Sequence, residues 1–439
     1  MVVSVFQMAS GGLRWFLWLF TNKSKKGQPP LPPGPKALPL LGNLHSVEPQ
    51  LRTYFASLSQ TYGPICRLWL GIKLGIIITS PALAREVLKE QDTIFAYRDV
   101  PAAGREMSYG GLESFWTEMA YAGLPVNVGE KMFLTMFNVI TSMLWGGTVK
   151  GEERANLGAE FRHGVTKKMK VLAKRFDTIF ESMIDQRQKM DGNTEMGAGV
   201  GQESKDFLQV LLKLKDEADS KMPLSMTELK ALLMDMVVGG TATTSNTVEF
   251  AMAEIMNKRD ILRKLQEVDT VVGKDNIVEE SHIQQLPYFY AVMKEVLRLH
   301  PVLPLLVPHF PSEAGIVGGY TVPKGSCVFV NVWAIHRDPS ICENPTEFHP
   351  EKFLDNKCDY SGNDLNYFPF GSGRRMCAGI AMAERMFMFL LASLIHSFNW
   401  TMSEGENLDL TEMFGIVLKK KMPLVAIPTP RLSNPTLYE

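Results

Sequence analysis

The sequence predicts a mainly α-helical fold with a small β subdomain and, before it, an N-terminal membrane anchor. Ser225 and Glu228 have the spacing of a capping box, and residues 229–258 are apolar on nearly every face, so we expect one long buried helix. Two stretches rich in β-branched residues, 65–79 and 319–332, predict the β subdomain. The chain between these stretches is expected to be predominantly helical.

Residues 1–22 predict the anchor, because they are mostly apolar and are followed by Lys23, Lys25 and Lys26. A membrane span needs about 20 apolar residues, and a charge such as Arg14 costs up to about 3 kcal/mol at the membrane centre. An amphipathic helix that lies on the membrane surface is the alternative. A cleaved signal peptide is disfavoured, because the N-terminus lacks a basic region and no small-residue cleavage site precedes the lysines.

Residues 23–43 are basic and rich in proline, which predicts a stiff and extended hinge. Proline runs of this kind are also found as plain linkers or as ligands of SH3 domains, and both alternatives stay open. No further linker divides the chain. Residues 44–439 are therefore expected to form one domain.

Composition and motif spacing exclude several classes of function. The chain of 439 residues has a formal net charge of −1 and no basic stripe, which argues against nucleic acid as a partner. Its eight histidines lack the spacing of a metal site, and its five irregularly spaced cysteines favour a reducing compartment over a disulfide framework. The tripeptide His336-Arg337-Asp338 superficially resembles a kinase catalytic loop, but no Gly-rich loop, strand lysine or Asp-Phe-Gly accompanies it.

Turn residues and apolar runs predict the shorter elements. Glycine, proline and serine mark the ends of β-branched or apolar stretches. The expected elements are strands over 65–70, 74–79 and 327–332, and helices that begin at Pro81, at Pro287 and at about Ile380.

The loop from Phe370 to Gly379 gives Cys377 a chemical setting of its own. Its glycines let the backbone adopt positive φ and lie close to a flat ligand. The start of the next helix and the charges of Arg374 and Arg375 favour a thiolate. One thiolate cannot complete a zinc tetrahedron, but it can be the axial ligand of a haem iron. The alternatives are a buried structural cysteine and a phosphate-binding loop, although the Gly-Lys-Ser/Thr of a P-loop is missing.

The spacing Phe-x-x-Gly-x-Arg-x-Cys-x-Gly resembles the haem loop of the cytochrome P-450 monooxygenases, and it is met by Phe370, Gly373, Arg375, Cys377 and Gly379. The resemblance covers nearly the whole chain and is closest to plant microsomal members. It implies haem b held by the thiolate of Cys377, with Arg375 and His309 on haem propionates. It also implies electrons from NADPH delivered by an NADPH-cytochrome reductase. Without the resemblance, His309 fits a surface loop better.

The long helix contains Gly239-Gly240-Thr241-Ala242-Thr243-Thr244, whose glycines and hydroxyls predict a local opening, with a packing kink as the alternative. In the family the corresponding helix crosses above the iron, where the widened turn at Gly240 makes room for dioxygen. Thr243 matches the family's hydroxyl that helps to deliver protons. The preceding position is usually Asp or Glu, and here it is Ala242, which puts proton delivery in doubt.

Glu295 and Arg298 stand three residues apart in the helix that begins at Pro287, a spacing that otherwise describes a surface salt bridge of little value. They resemble the family's Glu-x-x-Arg pair, which locks the segment behind the cysteine loop. The family's third partner is an arginine in a Pro-Glu-Arg-Phe stretch, and here Lys352 takes its place. Lysine lacks the bidentate fork of arginine, so a weaker lock is expected.

Two stretches are shorter than the resemblance implies. Near residues 111–124 the family has a helix with Trp-x-x-x-Arg that reaches a haem propionate, but no arginine follows Trp116 at that spacing. Near residues 162–164 the chain has no room for the helix pair that usually roofs the substrate pocket.

The resemblance implies a plant haem-thiolate monooxygenase of secondary metabolism on the cytoplasmic face of the endoplasmic reticulum membrane. It is expected to insert one oxygen atom from dioxygen into a lipophilic small molecule, a terpenoid or a phenolic. A haem-thiolate isomerase or dehydratase is one alternative, because such chemistry could tolerate Ala242. A non-catalytic, haem-poor variant is the other, because two segments are shortened.

Overall fold

The structure, a computed structural model, describes residues 29–97, 125–145, 166–194, 206–216, 224–354, 358–403, 408–415 and 417–438. Packing divides the chain into two compact units. Unit 1 comprises Met1–Asp99, Tyr290–Ile380 and Glu412–Lys419, and unit 2 comprises Val100–Phe289, Ala381–Thr411 and Lys420–Glu439. The predicted anchor and the basic part of the predicted hinge lie outside the described residues.

The described helices are α1 (Leu51–Tyr62), α2 (Pro81–Arg85), α3 (Asp92–Phe95), α4 (Val128–Trp145), α5 (Thr166–Thr194), α6 (Phe207–Asp216), α7 (Met226–Asn257), α8 (Arg259–Leu265), α9 (Glu267–Val272), α10 (Glu280–Ile283), α11 (Pro287–Leu299), α12 (Val332–Ile335) and α13 (Ile380–Ser397). The described strands are β1 (Ile65–Leu70), β2 (Lys73–Ile78), β3 (Val126–Asn127), β4 (Gly315–Val317), β5 (Tyr320–Val322), β6 (Cys327–Val330), β7 (Phe398–Thr401), β8 (Glu412–Met413), β9 (Lys419–Lys420) and β10 (Val425–Pro430). The predicted mainly α fold with a small β part is confirmed.

Unit 1 is built on a three-stranded sheet of order β1-β2-β6. β1 pairs antiparallel with β2 across the turn at Gly71, and β2 pairs parallel with β6, with Gly75 opposite Cys327 and Ile78 opposite Val330. One face of the sheet packs on α2, α3 and the residue Phe368 that precedes the cysteine loop, because Ile76, Val328, Leu83, Phe95 and Phe368 belong to one buried cluster. This cluster fixes the base of the predicted site.

Unit 2 is mostly helical. Ser225 and Glu228 form the predicted capping box, since the Oγ of Ser225 accepts the N–H of Glu228 and Glu228 accepts the N–H of Ser225. The apolar sides of α4, α5, α6 and the first half of α7 share one core, which includes Phe137, Phe176 and Leu233. The long buried helix that the sequence predicts is therefore confirmed, with bounds 226–257.

The predicted local opening of this helix is wrong. α7 is regular throughout its length. A Cβ added to Gly240 would lie 2.5 Å from Cδ1 of Ile140 in α4, so the glycine stands where the two helices pack closely. The poor helix propensity of glycine is thus offset by tertiary packing rather than used to widen the turn.

Strands in the C-terminal part were not predicted from the sequence. The order of the second sheet is β3-β10-β7, and β10 contains Pro428 and Pro430. Proline normally argues against a central strand, because it cannot donate a ladder hydrogen bond. Here Val425 and Ala426 pair with β3, whereas residues 427–430 pair with β7, so each proline has a partner strand on one side only.

Within the described segments, α13 is the one helix with the length and apolar composition of a membrane span. It carries an almost unbroken buried stretch from Phe387 to Ser397. Core helices pass the same test of length and composition, so we describe α13 as a core helix.

Candidate haem site

Backbone hydrogen bonds close the predicted cysteine loop into a compact turn. Cys377 donates its N–H to the carbonyl oxygen of Phe370 over 3.0 Å. Gly371 and Gly373 have φ of 78° and 71°, in the left-handed region that favours glycine. The ring of Phe370 packs edge-on against Tyr360, with centroids 5.4 Å apart. α13 begins directly after the loop, as the sequence predicts.

Two glycines of the loop stand where a side chain would meet other atoms. A Cβ on Gly373 would lie 1.7 Å from the carbonyl oxygen of Leu88, in the π-helical turn Glu86–Glu90 that follows α2. A Cβ on Gly379 would lie 3.8 Å from Sγ of Cys377. The loop therefore packs directly on the backbone of Leu88 at Gly373, and the missing side chain of Gly379 leaves room beside Sγ of Cys377.

Cys377 is the exposed member of the five cysteines, all of which lie in described segments. Burial raises the pKa of Cys66 to about 12 and that of Cys358 to about 11, so both stay protonated near neutral pH. No group of three or more His, Cys, Asp or Glu side chains in the described residues could hold a metal ion by itself. A porphyrin-bound iron needs only one protein thiolate that faces open space, and the exposed Cys377 in its glycine loop fits that group.

His309 and Arg375 converge on consecutive backbone carbonyl groups at the end of α3. Nδ1 of His309 lies 2.8 Å from the carbonyl oxygen of Phe95, and Nε of Arg375 donates to the carbonyl oxygen of Ala96 over 2.8 Å. His309 is 4% exposed, so the surface-loop alternative is wrong. Both nitrogens already donate to carbonyl oxygens, so haem propionates would be bound by the remaining nitrogens, Nε2 of His309 and the Nη groups of Arg375.

The sequence suggested that Arg374 adds positive charge beside Cys377, but the structure pairs Arg374 with a carboxylate. Its Nε lies 3.2 Å from Oδ2 of Asp92, the first residue of α3, and its side chain is 57% exposed. The guanidinium charge is therefore shared with a carboxylate and with water. Of the features that the sequence offered around Cys377, the glycine loop, the following helix start and the charge of Arg375 remain.

Glu295 and Arg298 form a fully buried pair on α11. Nε of Arg298 donates to Oε2 of Glu295 over 2.6 Å, and Nη2 donates to Oε1 over 2.8 Å. Burial alone would lower the pKa of Arg298, but the Glu295 carboxylate raises it on balance. The other guanidinium N–H groups donate to the backbone carbonyls of His336, Pro345 and Glu347. The alternative of a surface salt bridge is therefore wrong.

Lys352 binds the segment 343–347, which Arg298 also binds, but makes no hydrogen bond to Glu295 or Arg298. Its Nζ donates to the carbonyl oxygens of Glu343 over 2.6 Å and of Asn344 over 3.2 Å, and it lies 3.6 Å from Sγ of Cys342. Arg298 and Lys352 thus bind neighbouring carbonyls of residues 343–347. The expected three-residue lock is indirect, because the shorter lysine binds the segment rather than the carboxylate.

In unit 2, Thr243 is half-buried on α7, and its Oγ1 donates to the carbonyl oxygen of Gly239 over 2.6 Å. Ala242 is also half-buried. The next acid along the helix, Glu249, is 4% exposed and accepts the N–H of Leu424 over 2.9 Å. Glu249 is therefore held at the backbone of another segment and does not take the place of the acid that position 242 lacks.

Sequence reasoning missed one residue that contacts the base of the cysteine loop. Nε2 of His336 lies 3.1 Å from the backbone nitrogen of Phe368 and accepts its N–H. The sequence shows His336 only within a tripeptide that resembles a kinase motif. A polar residue directly after the apolar run of α12 was the available signal, and it does not by itself separate a buried acceptor from a solvated side chain.

Comparisons with known proteins agree with the haem site that the geometry of the cysteine loop indicates. The family model "Cytochrome P450" matches residues 32–121 and 130–426. A flavonoid 3′-monooxygenase of Crocosmia × crocosmiiflora is 32% identical over 96% of this chain and 96% of its own length. A carnosic acid synthase of Rosmarinus officinalis is 33% identical over 93% of this chain and 95% of its own. A zebrafish cytochrome P450 solved with abiraterone shares the fold at 23% identity, with a TM-score of 0.71 over 87% of this chain and 99% of that chain.

These findings define a class of enzyme, an oxidoreductase that incorporates oxygen from dioxygen into a lipophilic substrate. The chain belongs to the cytochrome P450 family. It is a haem-thiolate monooxygenase, and its electrons come from NADPH through a redox partner.

The alignments also bear on the shortened segments. The alignment with the Crocosmia enzyme spans 500 positions, more than the 439 residues of this chain, so that enzyme carries stretches with no counterpart here. The family match is interrupted between residues 121 and 130, close to the first shortened stretch. Trp116 and residues 162–164 lie outside the part of the chain that the structure describes.

Proposed function

We propose that Cys377 would supply the thiolate ligand of the haem iron and that this chain hydroxylates a lipophilic phenolic molecule of plant secondary metabolism. The exposed thiol of Cys377, in a glycine loop next to the convergent His309 and Arg375, is the observation that carries the proposal. When bound, the haem supplies dioxygen activation with two electrons. The remaining steps are assigned to residues of this chain.

Each residue around the loop has a separate task. Cys377 would bind the iron, while His309 and Arg375 would hold the propionates by charge-assisted hydrogen bonds. Phe370, Gly373 and Gly379 are assigned the shape of the loop, since Phe370 packs on Tyr360, Gly373 packs on the backbone of Leu88 and Gly379 lies beside the sulfur. Glu295, Arg298 and Lys352 keep the segment behind the loop in place.

On α7, Thr243 is assigned the hydroxyl that holds a proton for oxygen activation. Its half-buried side chain donates to the carbonyl of Gly239, which leaves the oxygen lone pairs of the hydroxyl able to accept from water. Gly240 is assigned the close packing of α7 against α4. General acid–base groups of this kind contribute about 10²–10⁴-fold to a rate.

The substrate class rests on relatives and on the sequence. Two similar enzymes are named for the 3′ position of flavonoids, and a third for position 20 of 11-hydroxysugiol. Flavonoids are phenolic, and 11-hydroxysugiol is a phenolic diterpenoid, so these names support a lipophilic phenolic substrate that is either a flavonoid or a terpenoid.

The proposed setting is the cytoplasmic face of the endoplasmic reticulum membrane, where an NADPH-cytochrome reductase is the electron donor. Residues 1–22 are assigned to the membrane anchor, residues 23–43 to the hinge and residues 44–439 to the monooxygenase domain. The apolar N-terminal sequence and the proline run support this division.

The test of the proposed function is the spectrum of the reduced carbon-monoxide complex together with turnover. We expect the full chain to give the cysteinate-type Soret band, Cys377→Ser to lose it, and Cys342→Ser to keep it. Flavonoids should be hydroxylated only with NADPH and reductase present. A cysteinate band that survives in Cys377→Ser would refute the ligand assignment. Conversion of a hydroperoxide without NADPH would favour the isomerase or dehydratase reaction, and absence of haem binding would favour the haem-poor variant.

A further inference from the structure

His336 links the buried ion pair to the cysteine loop through two hydrogen bonds. It follows α12, is 1% exposed, and its backbone carbonyl accepts Nη1 of Arg298 over 3.1 Å. Its ring Nε2 accepts the N–H of Phe368 over 3.1 Å. The ring stacks on Tyr367, with centroids 5.3 Å apart and planes inclined by 28°, and meets Phe368 edge-on at 5.7 Å. The orientation of the imidazole is thus fixed by two ring contacts and by a hydrogen bond at one nitrogen.

The imidazole is neutral over the working pH range. Burial lowers its pKa to about 3, and the positive charges of Arg298 and Arg337 add to the effect. Because Nε2 accepts a hydrogen bond, the single ring proton lies on Nδ1. Nδ1 has no hydrogen-bond partner within the described segments, and a buried unpaired donor is destabilising. The fold tolerates the cost of the unpaired Nδ1–H in a ring whose Nε2 accepts the N–H of Phe368.

The amide that Nε2 holds belongs to Phe368, two residues before the cysteine loop. Phe368 is fully buried, and its carbonyl oxygen accepts the N–H of Gly371 over 3.0 Å, which sets the first turn of the loop. Phe370, inside that turn, accepts the N–H of Cys377 over 3.0 Å. A displacement at the amide of Phe368 is therefore passed by two short turns to the backbone nitrogen of the cysteine.

We propose that His336 is a positioning residue for the thiolate: its Nε2 holds the amide of Phe368 and thereby fixes the backbone turn that presents Cys377. The proposal rests on the assignment of Cys377 as the iron ligand. It predicts that loss of the acceptor loosens the loop, so that the sulfur passes more readily from the thiolate to the neutral thiol form of the complex.

The experiment compares four variants of the full chain at matched haem content. His336→Leu removes the acceptor, His336→Gln offers an amide oxygen near the place of Nε2, and His336→Asn is too short to reach. His396→Leu is the matched control, since His396 is also 1% exposed and its ring contacts Asp269 and the carbonyl oxygen of Asn276 in unit 2. The two measurements are deuterium exchange of the peptide that contains Phe368 and the rate at which the cysteinate-type band converts to the thiol-type band.

We expect His336→Leu and His336→Asn to exchange at Phe368 at least tenfold faster and to convert at least tenfold faster than the unsubstituted chain. His336→Gln should recover most of both losses, and His396→Leu should change neither while it lowers global stability. If His336→Leu does not accumulate as folded protein, His336→Asn carries the comparison. Equal behaviour of the Gln and Leu variants, or an equal loss in His396→Leu, would overturn the proposal, because packing or global stability would then explain the effect.

The same assay separates this inference from the ligand assignment. Loss of the cysteinate band in Cys377→Ser, with unchanged exchange and conversion in His336→Leu, would overturn the role of His336 alone. A cysteinate band that persists in Cys377→Ser would overturn both.

Discussion

The buried pair on α11 and the Gly239–Thr244 stretch of α7 differ in how they meet the family pattern. Glu295 and Arg298 satisfy one another twice, and Arg298 donates three further hydrogen bonds to backbone carbonyls. The stretch on α7 keeps Gly240 and Thr243 but has Ala242 where the family has an acid. The pair on α11 is held by several hydrogen bonds that support one another, whereas the chemistry expected of the α7 stretch depends on one acid–base group.

This difference shows what a substitution can remove without unfolding the chain. Loss of the acid at position 242 leaves no buried charge unpaired, so the helix packs as well with alanine. Loss of either member of the pair would leave a buried charge without its partner. We therefore expect the pair to govern stability and haem retention, and position 242 to govern how oxygen is used.

The largest effect is expected from Arg298→Leu. The buried carboxylate of Glu295 would keep the N–H of His349, 2.8 Å from Oε1, but would lose its cation. Breaking a buried pair in this way costs about 3–5 kcal/mol, measured as the free energy of unfolding. The matched control is Arg385→Leu, whose pair with Glu280 is 68% and 71% exposed and should be worth less than about 1 kcal/mol. Similar losses of unfolding free energy in the two variants would show that the buried pair contributes no more to stability than an exposed pair.

The second effect is expected from Ala242→Asp. A carboxylate next to Thr243 can recruit protons, so a smaller share of the reduced oxygen should escape as hydrogen peroxide. A general acid–base group of this kind is worth about 10²–10⁴-fold in the proton-transfer step. The measurement is the ratio of product to NADPH consumed, at equal haem content. Ala231→Asp, at an exposed position of the same helix, is the control. A ratio already near one in the unsubstituted chain, or no change in Ala242→Asp, would show that proton delivery does not depend on this position.

The third effect concerns acid. His336 has its pKa lowered from 6.5 to about 3, so the folded chain binds fewer protons than the unfolded chain between these values. Its contribution is complete above about pH 6.5 and is lost as the pH falls, by about 1.4 kcal/mol per pH unit. We expect His336→Gln to flatten the fall in unfolding free energy between about pH 6.5 and pH 4 by that slope. Parallel curves for the two proteins would contradict the neutral, buried imidazole.

The sequence predicted those elements whose signals are local. The capping box at Ser225, the strand over 65–70 and the helix that begins at Pro287 are each marked by residues within a few positions, and all three are observed. The cysteine loop was predicted for the same reason. Its glycine spacing is a short-range pattern, and the positive φ of Gly371 and Gly373 follows from it.

Features that depend on distant partners were predicted less well. The glycines at 239 and 240 read locally as an opening, but Ile140, far away in sequence, decides that Gly240 serves close packing. β10 was missed, because only the pairing with β3 and β7 shows why its prolines are tolerated. His336 was passed over, because its acceptor role is fixed by the amide of Phe368 and by burial, neither of which its neighbours in sequence reveal.

The smallest effect is expected from Lys352→Arg, and it sharpens the description of the buried pair. The ammonium of Lys352 has three N–H groups, and Glu343, Asn344 and Cys342 provide three acceptors, so lysine is already satisfied. An arginine would keep the two carbonyl contacts, and we expect a change in unfolding free energy below about 1 kcal/mol. Lys352→Met should lose about 1–2 kcal/mol, because two carbonyls of the segment that Arg298 also binds would lose a charged donor at a half-buried site. If Lys352→Arg instead stabilised the protein by more than about 2 kcal/mol, arginine would have to reach the Glu295 carboxylate itself. Residues 343–347 would then not be needed to connect position 352 to the ion pair. With a third direct partner, the Glu295–Arg298 pair would contribute more to stability than its present contacts imply.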